Sequence, residues 1–255
     1  MKGDFVNSFI SWVGGKKLLR KYIINEFPED YKRYVEVFGG AGWVLFGLEH
    51  IGKTEIYNDK DSDLVNLFRC MKYHCNELQR ELSLLLNSRE QFYYFKDQMS
   101  CSGFTDIQRA ARFYILIKHS FGSKIETFSS NKASNMGQWI GTFPMISERL
   151  ARVIIENKDY NDIITSYDKE DTMFYLDPPY YGAEDIYKKR FSQSDHINLH
   201  DMRLNINGKF ILSYNDNAHI RELYSGFNII EIERQNNLSS NENNKRYKEL
   251  IIKNF

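Results

Sequence analysis

The sequence predicts a doubly wound α/β domain interrupted once by a helical insert. Three observations carry that expectation. Six short runs rich in Val, Ile, Tyr or Phe, each bounded by Gly, Asp or Asn, are spaced along the chain. Helical patterns lie between several of them, and such alternation builds a parallel sheet covered by helices on both faces. The stretch 71–150 reads differently: it shows helical periodicity and then a polar segment with no period.

Taken in chain order, a helix is expected over 17–26 and a first strand over 34–38. A second strand follows at 54–57 and a helix at 64–73. Two amphipathic helices, 77–87 and 107–119, open the insert, the second with Ala110, Ala111, Tyr114, Ile115 and Ile117 as its apolar material. The stretch 120–142 is rich in Ser, Asn, Gly and Lys, and a long irregular segment inside a compact protein is usually functional or disordered. Strand-like runs resume at 172–176, 209–213, 227–232 and 249–252. Residues 1–70 and 151–255 are therefore expected to form one discontinuous domain, and residues 71–150 a helical second lobe.

Composition narrows the function classes. The chain has 255 residues, enough to bury a sizeable core, and its 42% hydrophobic and 27% charged residues suit an ordinary globular domain. Thirty-four Lys and Arg balance 34 Asp and Glu, so a polyanionic partner would need a local basic face. The cysteines Cys70, Cys75 and Cys101 are odd in number and form no CxxC pair, which disfavours a disulfide framework or structural zinc and suits a reducing cytoplasm. No stretch approaches the ~18 apolar residues of a membrane helix, and residues 1–4 lead into no signal core.

The chemistry concentrates in Phe174-Tyr175-Leu176-Asp177-Pro178-Pro179-Tyr180-Tyr181. Two of the chain's four prolines stand here side by side. Proline fixes φ and lacks a backbone donor, so Pro178 and Pro179 make a stiff strand exit with carbonyls free to accept. Ligands of open parallel sheets bind beyond the carboxyl ends of the strands. An exocyclic amino group of a base is a poor nucleophile because its lone pair is delocalised into the ring. Asp177 and the Pro178 carbonyl can accept its two hydrogens, free the lone pair and stabilise the charge that develops on nitrogen. Tyr180 can stack on a base taken out of a duplex. A plain strand end with a proline turn would use the same residues, and the surrounding motifs weigh against it.

Glu36-Val37-Phe38-Gly39-Gly40-Ala41-Gly42 follows the first strand directly, and a glycine turn there lets the backbone approach a ligand. No Walker-type lysine follows, which disfavours a nucleoside triphosphate. Asp59 ends the second strand about twenty residues later, where an acid can grip ribose hydroxyls or cap a helix. Trp12-Val13-Gly14-Gly15-Lys16 offers a ring to pack on a cofactor and a cation for a carboxylate; alone it reads as a capped turn opening the first helix. Ile211-Leu212-Ser213-Tyr214-Asn215-Asp216 ends a strand and can wall a base pocket. The basic segment 241–248, with Lys245, Arg246 and Lys248, reads as solvated surface.

In this order, a WxGGK-type segment, an FxGxG turn, an insert and then DPPY, the motifs resemble the Dam-like site-specific DNA adenine-N6 methyltransferases over nearly the whole chain. The resemblance implies a Rossmann-like methyltransferase sheet with an inserted target-recognition domain. It also implies S-adenosylmethionine (SAM) as methyl donor, no metal, and double-stranded DNA as substrate. Asp177, Pro178, Pro179 and Tyr180 would be catalytic. SAM would contact Trp12, Lys16, Asp59 and Asp177. The turn residues Phe38, Gly40 and Gly42, with Gly14, Gly15 and Glu36 in the same motifs, complete the implied cofactor site. Arg109, Arg112, Lys118, Lys124 and Lys132 supply the insert with positive charge for DNA, and residues 121–139 would contact bases.

Val37 stands where the family commonly has proline, with little consequence expected. Family members that read GATC carry an Arg- and Asn-containing signature after the insert's long helix. Here that place holds His119-Ser120-Phe121-Gly122-Ser123-Lys124-Ile125-Glu126-Thr127, so no recognised sequence is carried over. A cognate restriction endonuclease acting on the same site is compatible with the resemblance. Two other readings stay open: an RNA adenine or DNA cytosine-N4 amino methyltransferase, and a non-catalytic DNA-binding module that kept the fold.

Overall fold

The strands with the longest apolar runs form the centre of the sheet and are themselves buried on both faces, as parallel strands between helical layers must be. The structure, a computed structural model, describes residues 6–49, 52–129, 136–182, 191–234 and 247–255. Seven strands are described: β1 (Arg33–Glu36), β2 (Thr54–Asn58), β3 (Ile154–Glu156), β4 (Thr172–Leu176), β5 (Lys209–Asn215), β6 (Asn228–Arg234) and β7 (Tyr247–Lys253). Their order is β3-β2-β1-β4-β5-β7-β6. The first five run parallel, with Val35 level with Ile56 on one side and Phe174 on the other.

Strand β7 runs antiparallel to both β5 and β6, so the sheet is mixed rather than wholly parallel. Consecutive strands that pair directly, as β6 and β7 do, are normally antiparallel, because a parallel return needs a crossover. Strand β3 was not anticipated. It is three residues long, partly exposed and at the sheet edge, too short for a periodicity to register.

The helices are α1 (Arg20–Asn25), α2 (Ser62–Tyr73), α3 (Cys75–Ser83), α4 (Arg89–Asp97), α5 (Asp106–His119), α6 (Met136–Gly141), α7 (Phe143–Leu150), α8 (Tyr160–Tyr167), α9 (Gln193–Leu204) and α10 (Ala218–Leu223). Helix α1 starts later than the expected residue 17, because Leu19 and Arg20 both donate to the Lys16 carbonyl in a turn. Helix α5 begins at a capping box in which Thr105 and Gln108 satisfy each other's backbone donors. Helices α4 and α6 were not anticipated. The second occupies the end of the stretch expected to be irregular.

The period-two alternation of each strand sorts the core into two layers. Val35, Ile56, Phe174, Leu176 and Leu212 face α8, α9 and α10. Tyr34, Tyr57, Met173, Tyr175 and Ile211 face the other way and merge with Phe68 of α2, Tyr114 of α5 and Phe143 of α7. The helices between β2 and β3 thus share one continuous core with the sheet. Among the described residues no helix is long and apolar enough to cross a membrane.

Candidate active site

The carboxyl ends of β1, β2 and β4 open into one cleft lined by Trp12, Lys16, Glu36, Phe38, Gly40, Asp59, Tyr175, Asp177 and Pro179, together with Gly14 and Gly15. Almost every motif singled out in the sequence therefore converges here. The turn after β1 is tight. Gly39 N–H donates to the Asn58 carbonyl at 2.7 Å, and a Cβ on Gly39 would stand 2.3 Å from the Tyr57 ring. Gly40 and Gly42 have φ of 50° and 67°, the left-handed region that glycine enters at no steric penalty. Gly42 itself packs toward Phe46 and Phe68 below the turn.

Asp59 does not cap α2; Asp61 does, accepting from Asp63 N and Leu64 N. Asp59 instead ties the two strand tips together, accepting from Gly40 N at 2.9 Å and Asp61 N at 2.7 Å.

Lys16 is 6% exposed, and its Nζ lies 2.6 and 2.8 Å from the two Asp177 carboxylate oxygens while donating to Gly14 O at 2.8 Å. The carboxylate that Lys16 meets is thus that of the proline strip, 161 residues away. Burial lifts the Asp177 carboxyl to about 6, against the pull of the Lys16 ammonium and with a further push from Glu249. Glu36 is 2% exposed and accepts from the Tyr34 hydroxyl at 2.9 Å and Leu45 N at 2.8 Å. Burial outweighs those bonds and raises its carboxyl to about 8. Pro178 is buried and Pro179 lines the cleft. The Tyr180 ring lies beneath the Lys16 ammonium at 4.7 Å, and its hydroxyl donates to Glu249 Oε2 at 2.7 Å.

Several cleft residues escaped the sequence analysis. Asn58 donates to Val37 O at 2.8 Å and Lys158 O at 3.1 Å and accepts from Lys158 N at 2.9 Å, so one amide pins three strand tips. Tyr160 stacks on Phe38 with centroids 5.8 Å apart, and Phe191 meets Phe38 edge-on at 5.9 Å. Tyr160 follows β3, the strand too short to read, although the N-cap Asp159 just before it was a usable signal. Among the described residues no cluster of three His, Cys, Asp or Glu side chains is placed to hold a metal ion.

The cations of the insert are not gathered in one role. Arg109 pairs with Asp63 at 3.2 Å and donates to Ser62 O at 3.1 Å. Arg112 lies over the Phe104 ring at 3.9 Å and donates to Gln98 Oε1 at 3.2 Å. Lys118 lies over Trp139 at 4.2 Å. Lys124 lines the cleft, flanked by Ser123 and Ile125, both at φ 60°. That conformation is an outlier for a β-branched residue, and such strain clusters at functional sites. Ser123 Oγ lies 2.7 Å from Ser11 Oγ, joining this loop to the segment that carries Trp12. Lys132, Lys245 and Arg246 lie outside the described residues.

A family model described as D12 class N6 adenine-specific DNA methyltransferase matches residues 12–238. The chain is 27% identical to Type II methyltransferase M1.LlaDCHI of Lactococcus lactis subsp. cremoris, across 97% of this chain and 95% of the relative. It is 24% identical to Type II methyltransferase M.CviBI of Paramecium bursaria Chlorella virus NC1A, across 89% of each. It is 23% identical to a DNA adenine methylase of Haemophilus influenzae, across 95% of this chain and 92% of the relative.

Proposed function

Because the chain belongs to the D12 class N6 adenine-specific DNA methyltransferases, we propose that its strand-tip cleft holds SAM and that Asp177–Tyr180 presents the adenine amino group to it. The observation that carries this reading is the ion pair between Lys16 and Asp177, which joins the first and last motifs at the cleft. The cleft suits SAM. The glycine turn lets a ligand reach the backbone, Asp59 lines the cleft at a strand tip where ribose hydroxyls would meet an acid, and the Phe38–Tyr160 stack with Phe191 offers apolar rings. Asp177 places a carboxylate beside it for cationic groups, Glu36 lines its floor, and Trp12 packs against Gly40. When bound, SAM supplies a methyl group on a sulfonium that is already an activated leaving group.

The chain's own residues would do the rest. The buried Lys16 ammonium, 2.6 Å away, favours the ionised form of Asp177. Held by Lys16, it accepts one amino hydrogen while the Pro178 carbonyl accepts the other, which localises the nitrogen lone pair. Asp177 also stabilises the positive charge that nitrogen acquires, because the carboxylate is fixed before the reaction begins. Tyr180 stacks on the extrahelical base. Lys118 and Lys124 offer cations for phosphates. The Type II names of two relatives support an endonuclease acting on the same site as a partner.

Titration calorimetry with SAM tests the cofactor assignment. Asp59→Ala should weaken binding by roughly 1–3 kcal/mol, because ribose hydroxyls lose a charged acceptor and the turn loses its tie to Gly40. Unchanged affinity would move the ribose elsewhere.

A further inference from the structure

We propose that the cross-strand pair Asn215–Glu249 clamps the exit of the catalytic strip and that Glu249 is a positioning residue for Tyr180. The inference rests on the reading of Tyr180 as the ring on which the target base stacks. Asn215 of β5 and Glu249 of β7 face each other in register. Glu249 accepts the Tyr180 hydroxyl at 2.7 Å. Asn215 Nδ2 donates to the carbonyl of Tyr181, the next residue, at 3.1 Å. One rung of the sheet therefore holds both the tip of the Tyr180 ring and the main chain just beyond it.

The strip needs such a hold. Pro178 and Pro179 have no N–H, so two successive positions of the backbone leaving β4 offer no donor to hold it. The prolines set the direction of the exit, and the Asn215–Glu249 rung sets where it ends.

The residue types also point away from a purely structural strand. Glu249 is 7% exposed and precedes the buried run Leu250-Ile251-Ile252. A buried carboxylate needs hydrogen-bond donors to be tolerated. This one also stands close enough to Asp177 to oppose its ionisation, a disadvantage an apolar residue would avoid. Its gain is a phenol fixed at both ends: the backbone through Asn215 and the hydroxyl through Glu249. A stacking ring has to be oriented before the base arrives, because small misplacements lower rates steeply.

The test is methyl transfer from tritiated SAM to unmethylated genomic DNA, with kcat and the KM for SAM measured separately. Glu249→Leu and Tyr180→Phe should each lower kcat by about tenfold, with the KM for SAM little changed. The double variant should be no slower than either single one, since both remove the same bond. Glu249→Gln keeps an acceptor oxygen and should recover most of the loss. Wild-type kcat in Glu249→Leu, losses that multiply in the double variant, or a Gln variant as slow as Leu would each overturn the proposal. Should Glu249→Leu not fold, Tyr180→Phe reads the bond from its other end, and wild-type kcat there overturns it equally. Tyr180→Ala separates the two readings. If it is fast, stacking itself is wrong. If it is slow while Tyr180→Phe and Glu249→Leu are fast, only the clamp fails.

Discussion

At the carboxyl ends of β1, β2 and β4 the chain buries Glu36, Lys16 and Asn58 and ties each to a specific partner. Along α2, α5 and α7 it buries Phe68, Tyr114 and Phe143 and places Arg109, Arg112 and Lys118 against rings, carboxylates or backbone. Both regions belong to one core, yet they tolerate change differently. Apolar packing is non-directional, so the helical side loses stability in proportion to the volume removed. Buried polar groups are directional, and each loss at the strand tips strands a partner in low dielectric. The proposed chemistry falls among the buried polar groups of the strand tips.

The largest expected effect tests the polar side. Asp177→Asn should lower kcat by about 10²–10³-fold or more, because a fixed anionic acceptor becomes a neutral amide. Full activity of the purified variant, free of wild-type enzyme, would remove Asp177 from the reaction. The matching change on the apolar side is Phe143→Ala, which should cost about 3–5 kcal/mol of stability in denaturant unfolding while leaving the kcat of the folded fraction near wild type. A variant as stable as wild type but slow in methyl transfer would reverse the contrast between the regions.

The next effect follows pH. Burial raises the carboxyls of Glu36 to about 8 and Asp177 to about 6, both above their ordinary values. Between the ordinary and the raised values the folded protein binds more protons than the unfolded chain, so stability falls as pH rises through that window. The melting temperature of the ligand-free protein should fall between about pH 5 and 8, and Glu36→Gln should flatten the trend by up to about 1.4 kcal/mol per pH unit. A melting temperature that climbs with pH over that range would mean Glu36 is not held neutral. The smallest effect concerns Lys124 at the rim of the cleft. Its replacement by alanine should reduce the slope of log affinity for duplex DNA against log salt by about 1. The same slope would leave Lys124 to the cleft and not to phosphate.

Much of this was legible before any fold was known. The run Thr172–Leu176 ends where a strand was expected, because five consecutive apolar or β-favouring residues stop at an acid and two prolines. The glycine turn, Asp59 and the Trp12–Lys16 segment could be picked out because special residues are required at special backbone positions. Strand β3 and helices α4 and α6 could not, being short or lacking a clean period.

Sequence alone determined the alternation of elements, the order of the motifs and the chemistry that Asp177 and its neighbours can offer, since each is written over a few adjacent residues. Tertiary structure alone decided that Lys16 meets Asp177 across 161 positions, that Tyr180 reaches Glu249 across 69, and that β7 enters the sheet reversed between β5 and β6. These are consequences of which strand ends lie side by side. Local propensity cannot specify that, because the adjacency is selected by the burial of the whole sheet between its two helical layers.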